Sequence, residues 1–273
     1  MDPLFDVTDR IVLITGGLGQ IGAQFVTCFV DRGARVAVAS RRADDERLAG
    51  VLGGRDPRNA MAVALDITDK ASIAAGLDAI EAVWGVPDVL INNAGIDTQP
   101  SAPPEVSGPF EDFPESVFRE VVEVNLTGTF LMAQAVGARM RSAGKPGSII
   151  NVGSIYGMVS PVQDIYAYHE EQTGIPFVKP VAYSAAKSGI YNLTRYCATY
   201  WGRAGIRVNT LTPSGVRRDT QDATFQANYA ARIPIGRMAE ADEFNGAVVF
   251  LASDASRYMT GSNLIVDGGW TAW

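Results

Sequence analysis

Sulfur and imidazole are scarce in this chain: its 273 residues include two cysteines and one histidine. Cys28 and Cys197 both lie in apolar, helix-like surroundings, which argues against a disulfide framework or a cysteine-based metal centre and fits a reducing compartment. The lone His169 builds no metal site by itself, so no metal is expected. Basic residues are also in short supply, with 23 Lys and Arg against 30 Asp and Glu, a net charge of -7 and an isoelectric point near 4.8. Nucleic-acid binding recruits the opposite imbalance, so no nucleic-acid partner is expected. No apolar run approaches membrane-spanning length, and the opening Met1-Asp2-Pro3-Leu4-Phe5-Asp6 lacks the basic and apolar regions of a secretory leader. The expectation is a cytoplasmic protein with no membrane association. Disorder is excluded by 47% apolar and 19% charged residues.

What is present is alternation. Short β-rich runs at 11–15, 35–40, 61–65, 89–91, 148–152, 207–211 and 264–266 are separated by longer amphipathic stretches. This pattern predicts an α/β fold: a three-layer, doubly wound, mostly parallel sheet of about seven strands with helices on both faces. No repeat, low-complexity tract or linker interrupts it, so residues 1–273 read as a single dinucleotide-binding and catalytic domain. The segments 98–114, 160–180 and 214–228 resist regular assignment. Loops of this length in a compact domain are usually functional, so they are expected around one mouth.

Directly after the first strand comes Thr15-Gly16-Gly17-Leu18-Gly19-Gln20-Ile21-Gly22, followed by a helical pattern over 23–32. Glycines let a pyrophosphate approach the backbone closely and reach free N–H groups at a helix N-terminus. Gly16, Gly19, Gln20, Ile21 and Gly22 are therefore candidate cofactor contacts. The second strand ends in Ser40-Arg41-Arg42, without the carboxylate that would bond the ribose hydroxyls of NAD. A hydroxyl and two guanidiniums suit a 2′-phosphate, so NADP(H) is favoured and NAD(H) stays open. Asp66-Ile67 and Asn93-Ala94-Gly95 fall at the carboxyl ends of the third and fourth strands, the edge where such sheets bind ligands.

Tyr183 and Lys187 stand four residues apart on a helical pattern and so share a face. A phenol is a poor base near neutral pH, and an adjacent ammonium favours its phenolate, so Lys187 is expected to lower the pKa of Tyr183. Taken with the glycine turn, Asn92-Asn93-Ala94-Gly95, Asn125, Ser154, Tyr183-Ser184-Ala185-Ala186-Lys187 and Asp267-Gly268-Gly269, the pair resembles the classical short-chain dehydrogenase/reductase family over essentially the whole chain. The resemblance implies an NAD(P)(H)-dependent interconversion of a secondary alcohol and a carbonyl. Tyr183 would exchange the proton, Lys187 would also hold the nicotinamide ribose, Ser154 would bond the substrate oxygen, and Asn125 would complete a water-linked proton relay. It also implies backbone contacts to the cofactor carboxamide from Pro213, Gly215 and Val216, and a homo-oligomer, either tetramer or dimer. The apolar end Gly269-Trp270-Thr271-Ala272-Trp273 is expected at a subunit interface.

Three departures from the family pattern stand out. Gln20 occupies the place of a glycine. The threonine expected beyond the Pro213 turn is replaced around Arg217-Arg218, which removes that side chain's hold on the cofactor. An insertion over 163–180 separates Ser154 from Tyr183 and carries Tyr166, Tyr168, His169, Glu170, Glu171 and Lys179. Because it begins and ends beside catalytic residues, it is expected in the substrate mouth, with Tyr156, Tyr166, His169, Gln221 and Phe225 as candidate substrate contacts. Gln221, Phe225 and Tyr229 recur at i, i+4 and i+8, which places them on one helical face. A small polar or sugar-like substrate is the leading expectation. Reduction of hydrophobic or aryl ketones is an alternative, as is a catalytically silent cofactor-binding sensor or scaffold.

Overall fold

A computed structural model describes every residue of the chain except Met1 and Ser101. Seven strands, β1 (Ile11–Thr15), β2 (Arg35–Ser40), β3 (Ala60–Ala64), β4 (Val89–Asn92), β5 (Gly147–Val152), β6 (Ile206–Pro213) and β7 (Asn263–Val266), form one sheet in the order β3-β2-β1-β4-β5-β6-β7. Every pairing is parallel. Their continuous apolar runs follow from burial on both faces: every residue of β1 and β4 is buried. The sequence expectation for the sheet holds, with β3, β5, β6 and β7 each beginning one residue earlier than its apolar run suggested.

Among the described residues ten α-helices connect the strands: α1 (Gln20–Val30), α2 (Asp45–Leu52), α3 (Lys70–Val83), α4 (Glu115–Val122), α5 (Gly128–Ser142), α6 (Ile155–Met158), α7 (Tyr168–Thr173), α8 (Val181–Trp201), α9 (Ala223–Ala230) and α10 (Asn245–Ala252). Phe25 and Phe29 of α1, Leu48 and Leu52 of α2, and Val248 and Leu251 of α10 pack on one face of the sheet. Leu77 and Ile80 of α3, Met132 and Val136 of α5, and Cys197 and Trp201 of α8 pack on the other. Chain order reverses across β1, which is flanked by β2 and β4, so a crevice opens at the carboxyl ends of these strands.

Two expectations change. A π-helical turn, Glu123–Thr127, joins α4 to α5, giving a continuous helix Glu115–Ser142 of 28 residues whose most apolar 18-residue window has a mean hydropathy of 1.2. By length and composition it would suffice to span a membrane, contrary to expectation. Half of that window is buried, and Leu131, Met132, Val136 and Met140 supply its apolar side to the sheet, as in a core helix. The insertion is also more ordered than its polarity suggested. Ile165, Tyr166, Tyr168 and Phe177 are buried with Phe225, Tyr229, Ile233, Met238 and Trp270 in a third apolar cluster above the sheet edge. Trp270 thus packs within its own chain, while Ala272 and Trp273 of the apolar end are exposed, Trp273 to 80%.

Helix α8 is fixed to the sheet by a buried polar chain. Asn92 Nδ2 donates to Asn151 Oδ1 (2.9 Å), Asn151 Nδ2 donates to Thr194 Oγ1 (2.9 Å), and Thr194 and Thr210 share a hydroxyl hydrogen bond of 2.8 Å. The chain crosses from β4 through β5 to α8 and β6. Thr194→Val keeps shape but strands the Asn151 amide, so stability is expected to fall by about 1–3 kcal/mol, read as a lower urea midpoint at unchanged m-value.

Candidate active site

A cleft of about 620 Å³ opens along the carboxyl ends of the strands, within the size range of ligand sites. One end is the glycine turn. Gly16 has φ +63°, and a Cβ there would lie 2.8 Å from the Ala94 Cα; one on Gly22 would lie 2.2 Å from the Gly16 carbonyl oxygen. Only glycine permits this fold-back of the chain onto the strand β4 loop. Gly19 is the N-cap of α1 and brings no side-chain cap, so the first N–H groups of the helix remain available to an anion. Gly16, Gly19, Gln20, Ile21, Gly22, Ser40, Arg41, Asp66, Ile67, Asn93, Ala94, Gly95, Pro213, Gly215 and Val216 all line the cleft, as expected. These groups fit a dinucleotide: an open helix terminus for the pyrophosphate, and a hydroxyl with a guanidinium at the end of β2.

Arg42 is the exception among the expected cofactor residues. The chain turns away after Arg41 towards the α2 cap, Arg42 is exposed outside the cleft, and its carbonyl accepts a 2.7 Å hydrogen bond from Arg47. Asp66 is held by Thr68, whose backbone N–H and hydroxyl donate to Oδ1 at 2.9 and 2.7 Å. These bonds, with the nearby Arg41 charge, keep its carboxyl below the usual carboxylate range.

Deeper in the cleft, α8 presents Tyr183 and Lys187 on one face, as their spacing predicted. The Lys187 ammonium lies 5.8 Å from the Tyr183 ring centroid and donates to the Val152 carbonyl at 2.7 Å. Ser154 is the N-cap of α6: its Oγ accepts the Tyr156 N–H at 3.2 Å, leaving the hydroxyl proton free to donate. Helix α6 rides on α8 because Gly157 lacks a side chain; a Cβ there would lie 2.7 Å from the Lys187 backbone. The Tyr191 hydroxyl donates to the Ser154 carbonyl at 2.7 Å and pairs with Thr212 at 2.9 Å, fixing the turn that carries Ser154.

The electrostatics correct one expectation. Burial pushes the Tyr183 phenol up, the Asp97 carboxylate adds to this, and the Ser154 hydroxyl opposes it, so the phenol lies above its ordinary range where a lowered one was expected. Burial also brings the Lys187 ammonium down to about 8, with Asp97 opposing. Desolvation penalises both charged forms and is the largest cause of each shift. Burial thus favours the neutral phenol of Tyr183 and loosens the hold of Lys187 on its proton.

Asn125 is likewise placed differently. It is fully buried off the cleft, with Oδ1 accepting the Ile96 N–H and Nδ2 donating to the Ile96 carbonyl, both at 2.8 Å. Its side chain holds the loop after β4 against the π-helical turn. His169 lies outside the cleft too, its Nδ1 2.7 Å from the Ile175 carbonyl at the end of α7.

The end of the cleft around Tyr183 is lined by phenols and an ion pair. The Tyr156 and Tyr166 hydroxyls are 3.3 Å apart, and the Tyr229 hydroxyl accepts the Gly215 N–H at 3.0 Å. Burial raises all three phenols, which stay neutral donors. Gln221 and Phe225 also line the cleft, but α9 begins after the Asp222 cap, so Gln221 sits in the turn before the helix that carries Phe225 and Tyr229. Lys179 is 5% exposed; its ammonium donates to Asp97 at 2.7 and 2.6 Å and to the Thr98 carbonyl at 2.9 Å, and lies 5.6 Å from the Tyr183 ring centroid. Sequence reasoning missed Asp97 and Tyr191 and gave Lys179 no role. No local signal pairs Asp97, in a Pro-rich loop, with an insertion residue 82 positions away.

Comparison with known proteins places this geometry. The family described as Enoyl-(Acyl carrier protein) reductase matches residues 18–271. The D-threitol dehydrogenase of Mycolicibacterium smegmatis is 35% identical over 272 residues, covering 98% of this chain and 95% of that protein. A short chain dehydrogenase from Leptospira borgpetersenii, solved with bound NAD+, superposes with a TM-score of 0.83 at 36% identity, covering 97% of this chain and 94% of that one. A gluconate 5-dehydrogenase from Burkholderia cenocepacia, in complex with NADP and tartrate, gives 0.83 at 30% identity, with 99% and 98% covered.

The Lys179–Asp97 pair yields a stability test. Asp97→Asn leaves a buried ammonium without its counter-ion, for which a loss of about 2–3 kcal/mol is expected, less than for a fully buried pair because Asp97 keeps some water. Replacing both groups, as Asp97→Leu with Lys179→Met, is expected to recover most of that loss in chemical denaturation.

Proposed function

The chain belongs to the short-chain dehydrogenase/reductase family, and on that premise we propose that Tyr183, Lys187 and Ser154 carry out its interconversion of an alcohol and a carbonyl on a small, neutral, polyhydroxylated substrate of the sugar or polyol type. The observation that carries the substrate reading is the gathering of the Tyr156, Tyr166 and Tyr229 hydroxyls beside Tyr183 in one cleft. Neutral donors of this kind suit hydroxyl groups, and the cation of Lys179 is already matched by Asp97. The name of the threitol dehydrogenase supports the same class. Aryl-ketone reduction draws on the aromatic cluster of the insertion, and a panel of polyols, aldoses and aryl ketones followed by nicotinamide absorbance separates the two readings.

The bound dinucleotide supplies the hydride donor or acceptor. The protein's part is proton control and placement. Ser154, accepting from Tyr156, donates to the substrate oxygen and holds it at the phenol. Tyr183 gives its proton to that oxygen in reduction and removes one in oxidation. Lys187, anchored on Val152, provides a cation near the phenol and a donor for the ribose. Asn125 acts as a positioning residue for the loop after β4. The intact set of reacting groups weighs against a silent sensor or scaffold.

For the cofactor, we infer NADP(H) over NAD(H) from Ser40 and Arg41 lining the cleft at the end of β2, where no carboxylate stands. Homo-oligomerisation is proposed from the exposed, stacked Tyr196 and Tyr200 of α8, 6.2 Å apart, and the exposed Trp273. The acidic balance and buried free cysteines support a cytoplasmic setting.

Tyr183→Phe is expected to abolish turnover while leaving cofactor binding, followed by fluorescence, largely intact; normal turnover would remove the role. Because the phenol is held above its ordinary range, alcohol oxidation, which needs the phenolate, is expected to climb with pH from 6 to 9, while carbonyl reduction, which needs the phenol, stays level across neutrality. A plateau of oxidation below pH 7 would contradict this. Wild-type enzyme is expected to turn over faster with NADPH than with NADH, and Arg41→Ala to erase the difference.

A further inference from the structure

Two departures from the family pattern, far apart in sequence, meet in space. Gln20, in place of a glycine at the start of α1, donates from Nε2 to the Arg217 carbonyl at 2.6 Å and accepts from Arg218 Nε at 2.6 Å. The loop after β6 is thereby strapped across the cleft to the helix terminus that faces the phosphate end. The two arginines of that loop are not equivalent. The Arg217 guanidinium is consumed by Asp219 and Glu240, each at 2.8 Å. Arg218 makes no ion pair among the described residues, and its terminal nitrogens take no protein partner there. It lines the cleft together with Gly19 and Gln20. Its backbone is pinned as well: the Arg218 N–H donates to Gln221 Oε1 at 2.8 Å, and its carbonyl accepts from Gln226 at 3.1 Å.

We propose that Arg218 is a pyrophosphate-binding residue held in place by Gln20, so that the pair stands in for the loop threonine that this chain lacks. This rests on the dinucleotide reading above. A guanidinium with free terminal N–H groups, beside an uncapped helix N-terminus, supplies charge-assisted donors where the two phosphates need them. Gln20 holds the fork by its Nε edge, which leaves the terminal nitrogens for the ligand and lowers the ordering cost of a long exposed side chain. A glycine at position 20 could not do this, which gives a physical reason for the two departures to occur together.

The test is cofactor affinity, measured by quenching of NADH and NADPH fluorescence and by calorimetric titration of ADP-ribose, which carries the pyrophosphate without the nicotinamide. Arg218→Ala is expected to weaken all three about tenfold or more, and Gln20→Gly to weaken them several-fold. The double variant is expected to be no worse than Arg218→Ala alone, since the two residues act as one unit. Wild-type affinity in Arg218→Ala would overturn the proposal. So would a loss confined to NADPH, which would assign Arg218 to the 2′-phosphate, and so would additive losses in the double variant, which would remove Gln20 from the unit. Failure of the wild-type protein to bind any of the three probes would instead overturn the dinucleotide reading itself. Arg218 is exposed, so unchanged circular dichroism and melting temperature are expected in the variants and separate a binding effect from misfolding.

Discussion

Everything at the reactive centre depends on how helix α8 is seated on the sheet. Two kinds of bond hold it: the polar chain from Asn92 to Thr210 through Thr194, and the short bond from the Lys187 ammonium to the Val152 carbonyl at the end of β5. Both are buried, so each polar group is committed to its partner because leaving it unpaired away from water is expensive. That commitment turns a four-residue spacing on a helix into a fixed geometry above a strand end. Helix α6 then rests on α8 at Gly157, and Tyr191, two turns beyond Tyr183, grips the Ser154 carbonyl from below.

The same burial sets the resting chemistry. Lys187 is buried and Tyr183 partly so, and desolvation weighs against both charged forms, holding the phenol above its ordinary range and bringing the ammonium down to about 8. Asp97 contributes as the negative neighbour that raises both groups, and Lys179 keeps it from standing alone in the pocket. The insertion therefore does more than cover the mouth. It brings in the cation that makes a carboxylate tolerable there, and with Tyr166 and Phe177 it contributes to the third apolar cluster.

Much of this was legible from residues in order. Parallel strands buried on both faces read as apolar runs, so all seven appeared within a residue or two of their bounds. The glycine turn was legible because only glycine can make its fold-back, and the Tyr183–Lys187 pairing because helical period is a local rule. Contacts that join distant segments were not. The bonding of both ends of the Asn125 amide to the Ile96 backbone joins segments 29 positions apart. His169 lies in the insertion that lines the mouth, but α7 turns it to the Ile175 carbonyl. Arg42 follows Arg41 in sequence, and the turn into α2 carries it away.

By itself, then, the order of residues determined the layered sheet, the phosphate-cradling turn and the pairing of a phenol with an amine one helical turn on, because each follows from local backbone preference or from a periodic apolar pattern. Tertiary structure alone decided the protonation bias of that pair, the identity of its charged neighbours and the strapping of the loop after β6 to Gln20. Those properties arise from desolvation and from side chains brought together across up to 198 positions of chain, and no local rule encodes either one.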